Sequence, residues 1–231
     1  RPHAIVKAVD TSLAEAVPGV LTVLTSLDVL NNEFGYYTYD QPVLCGPSQK
    51  PFADRVRYVG DRVAAVVAET EAIAAKACEL IRVEYVDLPV VCDVEVAMQP
   101  GAPVLHPDVG SNMFSHHKLY NGDVEAGFRH ADVIVESVLN TPAQEHAYLQ
   151  TESGLAYIDE DGRLAVVTTG QWGQKDRKQI AHALGLSEEQ VRVIYPMTGG
   201  AFGGREDISV QIIVALAALK LHRLGQPRPV K

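Results

Sequence analysis

Apolar residues along the chain follow strand spacing in some stretches and helix spacing in others. In the first 88 residues they predict strands at 4–9, 20–24, 55–59, 63–68 and 81–85, and helical stretches at 12–17 and 71–80. The turn signal Gly60-Asp61 lies between two of these strands and predicts a β-hairpin. Residues 1–88 therefore predict a compact α+β domain that contains these five strands and two helices.

The next stretch, residues 89–120, has little periodicity and is interrupted by proline and glycine, which predicts a linker. A second α+β unit is predicted at 121–231, with strands at 131–140, 155–159, 164–168 and 191–195 and helices at 175–184 and 208–224. Ser187 and Gln190 have the spacing of a capping box before the last of these strands.

Composition and charge exclude several classes of function. The net charge is −9 and no basic run is present, which argues against binding nucleic acid or an anionic membrane. Three widely spaced cysteines are too few for an iron–sulfur cluster and indicate reduced thiols in a cytoplasmic protein. The histidines lack the spacing of a zinc site, and the longest apolar run is too short to span a bilayer.

Four glycines lie in the segment Gly199-Gly200-Ala201-Phe202-Gly203-Gly204, which we call the glycine loop. It follows a predicted strand and precedes a predicted helix, yet it matches neither the Walker loop nor the dinucleotide fingerprint. Such a loop presents backbone N–H groups to an anion, or it is a tight turn with close packing. From spacing alone the two interpretations have about equal weight.

Two further residues are candidates for chemistry near strand ends. Gln171 follows the strand 164–168 and is placed to offer an amide N–H to an oxo or carbonyl group, although such residues are often plain loop residues. Glu206 either faces a pocket beside the glycine loop or is favoured at a helix start by the helix dipole. The dipole is the stronger explanation from the sequence alone.

Five stretches, taken in order, resemble one known family, the molybdenum-binding large subunit of xanthine dehydrogenases and aldehyde oxidases. They are RPHAIVKAVDTS, VRYVGDRVAAVVAET, VEYVDLPVV, QEHAYLQTESGLAY and GGAFGGRE. The resemblance covers nearly the whole chain. It implies an α/β hammerhead domain at 1–88, a linker at 89–120, and a truncated first molybdopterin-binding subdomain at 121–231.

The resemblance also implies roles for individual residues. Gln171 would hydrogen-bond an oxo group of the molybdenum centre, and the backbone of the glycine loop would pass beside the metal, with no side chain as a metal ligand. Phe202 would border the metal's surroundings. Glu206 would bind and polarise a heterocyclic substrate, as in the purine-oxidising members. The resemblance therefore favours a functional role for Gln171 and the glycine loop more strongly than for Glu206.

The chain departs from the family pattern in three respects. The family's catalytic base, a glutamate near the end of the full subunit, has no counterpart here, and much of the pterin-binding half is absent. Many relatives have Glu where this chain has Gln150. We therefore expect a piece of a larger subunit that is inactive alone. The alternatives are a small non-catalytic subunit that assists molybdopterin binding, or a nucleotide-binding transferase.

The whole enzyme implied by the resemblance hydroxylates purines, other N-heterocycles or aldehydes with oxygen from water. Its cofactor would be molybdenum–molybdopterin, either alone or in the cytosine dinucleotide form, and we expect this chain by itself to bind no cofactor tightly. Its partners would be the remainder of the large subunit and iron–sulfur and FAD modules, assembled as a homodimer. The sequence does not distinguish among the three substrate classes.

Overall fold

A computed structural model describes all 231 residues, and its first 88 residues have the predicted order of elements. The elements are β1 (Ala4–Asp10), α1 (Ser12–Glu15), β2 (Val20–Leu24), β3 (Arg55–Val56), β4 (Ala65–Ala68), α2 (Glu71–Cys78) and β5 (Arg82–Asp87). They form one sheet in the order β3-β1-β5 and a second sheet from β2 and β4. Thr70 begins α2 by accepting a hydrogen bond from the Ile73 N–H.

The predicted hairpin around Gly60-Asp61 is wrong. Strand β3 pairs with β1, whereas β4 pairs with β2, so the two predicted arms belong to different sheets. The physical reason is that their apolar side chains pack in different places. Val56 packs in a small cluster with Ala4 and Val6, whereas Val67 joins the main core.

Residues 88–150 hold two short helices, α3 (Val94–Ala97) and α4 (Val124–His130), that the sequence pattern did not predict. Part of the predicted linker is fixed in place, because the Asn112 side chain bonds the backbone of Ala97, Pro103 and Leu105. The predicted strand at 131–140 is wrong. Its apolar side chains are exposed, and residues 132–149 make no backbone–backbone hydrogen bond, because no neighbouring strand edge is available to them.

The rest of the chain forms a third sheet covered by two helices. Its elements are β6 (Gly154–Ile158), β7 (Leu164–Thr168), α5 (Gly173–Leu184), β8 (Val191–Ile194) and α6 (Gln211–Arg223). Strand β7 is central, antiparallel to β6 and parallel to β8. The predicted capping box at Ser187 and Gln190 is present, and Gly185, with φ +65°, caps the C-terminus of α5.

The last helix, α6, begins at Gln211, three residues later than predicted. The side-chain oxygen of Gln211 accepts hydrogen bonds from the N–H groups of Ser209 and Val210, both at 2.8 Å. These bonds stabilise a non-helical turn just before the helix. Helix α6 has 13 residues. No helix in the structure is long and apolar enough to cross a membrane.

One large core joins the two halves of the chain. Twenty-two buried residues form it, most of them from the third sheet, α5 and α6, and six of them, including Leu24, Phe34 and Leu44, from the first half. Lys220 on α6 adds a polar link, because its ammonium group contacts Asp28 at 2.6 Å and the Val23 carbonyl at 2.9 Å. The glycine loop therefore connects two elements, β8 and α6, that both contribute side chains to this core.

Candidate cofactor-binding site

The candidate site lies where two parallel strands end. Gln171 follows β7 and the glycine loop follows β8, and because β7 and β8 are parallel neighbours, both lie at the same edge of the sheet. The backbone N–H of Gln171 donates to the Arg205 carbonyl at 3.1 Å, and the Arg205 N–H donates to the Gln171 side-chain oxygen at 3.2 Å. The structure thus brings together two candidates that are separated by about 30 residues.

The glycine loop presents unpaired donors. The N–H groups of Gly200, Ala201, Phe202 and Gly203 donate no hydrogen bond within the chain. Gly200 (φ +106°), Phe202 (φ +53°) and Gly203 (φ +87°) have left-handed backbone conformations, and the Phe202 side chain is 77% exposed. A run of free N–H groups beside the amide of Gln171 suits a ligand that is rich in oxygen acceptors.

Two glycines of the loop are required by close contact with another segment of the chain, residues 146–150. A Cβ on Gly199 would lie 2.7 Å from the Gln150 Cβ, and a Cβ on Gly204 would lie 2.8 Å from the His146 ring. By contrast, a Cβ on Gly203 would meet nothing closer than 4.0 Å. The segment 146–150 therefore supplies the close approach at Gly199 and Gly204, whereas Gly203 faces open space.

Gln150, the position where many relatives have Glu, bonds to the loop directly. Its side-chain oxygen accepts a hydrogen bond from the Gly199 N–H at 2.8 Å. A glutamate at this position would also offer an acceptor oxygen. Gln and Glu can therefore make the same hydrogen bond to the Gly199 N–H.

Behind the loop lies a cluster of charged and polar side chains around the buried Arg205, which the sequence pattern did not reveal. Arg205 is only 3% exposed, its guanidinium lies 4.1 Å from the centre of the Tyr148 ring, and its Nε lies 3.4 Å from a Glu152 oxygen. Glu152 also accepts hydrogen bonds from the hydroxyls of Tyr148 and Ser209. The hydrogen bond to Glu152 and burial raise the pKa of Tyr148. This cluster fixes the segment 148–152 against the loop.

Glu206 is exposed, and the helix-dipole explanation of its position is wrong. Because α6 begins at Gln211, its first turn contains no acidic residue. Glu206 lies close enough to Tyr36 to affect it: burial, then Tyr37, then the negative charge of Glu206 raise the pKa of Tyr36. The exposed carboxylate of Glu206 remains available to a ligand.

An aromatic and cationic group that the sequence left unassigned surrounds Tyr36, the residue whose pKa the charge of Glu206 raises. The rings of Tyr36 and Tyr37 are 4.4 Å apart edge to face, and the Trp172 ring lies 6.2 Å from Tyr36. The Lys175 ammonium group lies 4.6 Å from the centre of the Tyr36 ring. The only sequence signal was the density of tyrosine in a segment without periodicity.

The residues present fit a bound pterin cofactor better than a metal held by side chains. The structure contains no group of three or more His, Cys, Asp and Glu side chains that is arranged to hold a metal ion. It offers instead free backbone N–H groups and the Gln171 amide, which recognise ligand oxygen atoms.

This fold and site define a hammerhead domain joined to a molybdopterin cofactor-binding domain, and family models agree. The description "Aldehyde oxidase and xanthine dehydrogenase, a/b hammerhead domain" matches residues 1–89. The description "Molybdopterin cofactor-binding domain" matches residues 105–227, which is more than half of the chain. The chain belongs to the xanthine dehydrogenase/aldehyde oxidase family, which confirms the resemblance and the predicted fold class.

Individual relatives agree with this assignment. The chain is 43% identical over its whole length to a probable xanthine dehydrogenase component of Bacillus subtilis, of which it spans 29%. It is 35% identical over 93% of its length to the nicotinate dehydrogenase large molybdopterin subunit of Eubacterium barkeri, of which it spans 49%. The aldehyde oxidoreductase structure from Desulfovibrio gigas matches 99% of the chain with a TM-score of 0.85 and 28% identity, and the chain spans 25% of it.

Proposed function

We propose that this chain supplies the hammerhead domain and the first molybdopterin-binding subdomain of a molybdenum hydroxylase. The bounds we propose are 1–88 for the first domain, 89–120 for the connection, and 121–231 for the second. One observation carries the proposal: the free N–H groups of the glycine loop lie beside Gln171 at one sheet edge. The nucleotide-binding transferase interpretation has no comparable support.

In this proposal each candidate residue has a stated task. The Gln171 amide donates to an oxygen atom of the cofactor, and the backbone of Gly199, Gly200, Ala201, Phe202 and Gly203 lines one side of the cofactor pocket. The cofactor, when bound, supplies the redox chemistry by which oxygen from water replaces a hydrogen on carbon. The exposed carboxylate of Glu206 binds and orients the substrate.

The substrate class we propose is a purine, another N-heterocycle or an aldehyde. The planar ring of Tyr36, whose pKa the charge of Glu206 raises, and the neighbouring ring of Trp172 favour a flat heterocycle among these, because such rings stack well on aromatic side chains. We further propose that the cofactor is molybdenum–molybdopterin, in its cytosine dinucleotide form. The other partners are the rest of the large subunit and iron–sulfur and FAD modules, in a cytoplasmic homodimer.

The test uses the whole enzyme that contains this chain, assayed with xanthine, nicotinate and benzaldehyde. Gln171→Ala should lower turnover or molybdenum content by about 10- to 100-fold, as loss of an outer contact to a metal centre typically does. Gln174→Ala is the matched control, because Gln174 is an exposed amide three residues away. Equal effects of the two variants, or an enzyme without molybdenum, contradict the proposal.

A separate pair of variants tests Glu206. Glu206→Gln should raise KM for the heterocycle or lower kcat, while molybdenum content stays unchanged, because Glu206 is assigned to the substrate and not to the cofactor. Glu189→Gln is the control, since Glu189 is an exposed carboxylate in the turn before β8. Unchanged kinetics in Glu206→Gln would remove Glu206 from the site.

A further inference from the structure

A buried carboxyl group lies directly beneath the candidate site and takes no part in the proposed chemistry. Asp176, in the first turn of α5, is only 1% exposed. Its Oδ2 accepts a hydrogen bond from the Tyr195 hydroxyl at 2.5 Å and a longer one from the Gln211 amide at 3.5 Å, whereas its Oδ1 has no partner. A half-satisfied buried carboxyl is costly, so its presence calls for a reason.

The partners of Asp176 bracket the candidate site. Tyr195 directly follows β8, at the entrance to the glycine loop, and Gln211 begins α6, at the exit of the segment that contains the loop. Gln211 also bonds the two N–H groups before α6. On the other side, the Asp176 N–H donates to the carbonyl of Trp172, the residue next to Gln171, at 3.0 Å. One residue thus contacts both ends of the loop segment and the turn that carries Gln171.

The turn after β7 is built around this group. A Cβ on Gly170 would lie 2.2 Å from the Tyr195 hydroxyl oxygen and 2.9 Å from the Asp176 Oδ2. The absence of a side chain at Gly170 therefore leaves the space in which Tyr195 and Asp176 meet.

We propose that Asp176 is a positioning residue: its carboxyl group holds Tyr195 and Gln211, and so sets where the glycine loop lies relative to Gln171. This inference rests on the proposed function for its purpose, but its geometry does not depend on a bound cofactor. It assigns no contact between Asp176 and the substrate.

The environment of Asp176 gives this role a measurable signature. Burial raises the pKa of Asp176 to about 6, the hydrogen bonds from Tyr195 and Gln211 oppose this change, and the negative charge of Asp207 adds to it. Burial and the bond to Asp176 also raise the pKa of Tyr195, so Tyr195 stays protonated and remains a donor. The titratable groups that face the carboxyl are thus Tyr195, which directly follows β8, and Asp207 from the segment before α6.

The chain carries its own reporter for this titration, because Trp172 is its only tryptophan. Trp172 fluorescence in the 231-residue chain should change with pH with a midpoint near 6. Asp176→Asn should abolish that transition, and Tyr195→Phe should move it to higher pH because it removes a bond that lowers the pKa. Asp161→Asn, which removes an exposed carboxylate elsewhere, should leave the transition unchanged.

A second measurement tests positioning in the whole enzyme. Asp176→Asn keeps an acceptor for Tyr195 and should retain molybdenum as the wild type does. In Asp176→Ala and Gly170→Ala, the molybdenum content after dialysis should be lower by about 10-fold or more. A pH transition that persists in Asp176→Asn, or equal retention in all variants, overturns the inference. The fluorescence result is independent of the cofactor, so it separates failure of this inference from failure of the proposed function.

Discussion

Residues 131–140 and residues 164–168 both have the apolar pattern of a strand, yet only the second stretch forms one. Leu164 in β7 is 2% exposed and its strand has a neighbour on each side, whereas Leu139 is 86% exposed and has no strand beside it. The difference shows that an apolar pattern specifies a strand only where a free sheet edge is within reach. The apolar residues of 131–140 cover nothing within the described chain.

Hydrogen exchange should show the largest contrast between these two stretches. Amides at 132–149 should exchange at nearly the rate of an unfolded chain, because they make no backbone–backbone hydrogen bond. Amides in β7 should be protected by at least about 1,000-fold, since they open only with the core. Exchange followed by mass spectrometry checks this, and comparable protection in both stretches would break the comparison.

Matched leucine substitutions in the two stretches should differ in their effect on the free energy of unfolding. Leu164→Ala should lower the free energy of unfolding by about 2–5 kcal/mol through lost burial and a residual cavity. Leu139→Ala removes the same atoms from an exposed position and should change it by less than about 0.5 kcal/mol. Denaturant titrations of the two variants provide the measurement. A large loss in Leu139→Ala would mean that this side chain is buried in the isolated chain.

Asp176 allows a test of a buried, half-satisfied carboxyl group within the ordered stretch. Its pKa is raised from 3.8 to about 6, so the native state binds a proton that the unfolded chain releases between these values. The contribution of Asp176 to wild-type stability should therefore fall as pH rises from about 4 to about 6, by about 2–3 kcal/mol, and this loss should be complete above that range.

Asp176→Asn has no such proton and should lack this fall. The stability difference between the variant and the wild type should thus shift in favour of the variant by about 2–3 kcal/mol between pH 4 and pH 7.5. Unfolding curves at the two pH values measure this shift, and Asp161→Asn serves as the exposed control. A shift of the opposite sign would show that Asp176 is ionised at low pH.

A substitution at Gly199 tests the contact between the glycine loop and the segment 146–150. Gly199→Ala should cost about 1–2 kcal/mol, because the new Cβ would overlap Gln150 and its backbone conformation adds no strain of its own. Gly127→Ala in α4 has open space and should stabilise by about 0.5–1 kcal/mol. Thermal unfolding compares the two. Equal small effects would mean that the segment 146–150 does not press on the loop.

Local signals predicted much of the fold. The strand at 20–24 and the strand at 164–168 match the structure residue for residue, and so does the capping box at Ser187. These features depend on neighbours in sequence. The hairpin at Gly60 failed because the choice between two sheets depends on packing far along the chain.

The candidate site divides in the same way. Gln171 and the glycine loop were predicted as site residues because each follows a strand and because their motifs resemble a family, and the structure places them at one sheet edge. The pairing of Arg205 with Glu152 and the position of Lys175 near Tyr36 were missed. The residues of these contacts are 53 and 139 positions apart, and nothing in the spacing of the residues encodes such contacts.

The core shared by the two halves has a consequence for cooperativity. Two separate family models describe this chain, yet Leu24, Phe34 and Leu44 pack into the same cluster as β7 and α6, and Lys220 bridges to Asp28. Removing the first 89 residues would expose apolar side chains of the third sheet and α6 that belong to this shared cluster. We therefore expect a single calorimetric transition, with a van't Hoff enthalpy close to the calorimetric one, for what sequence comparison treats as two modules.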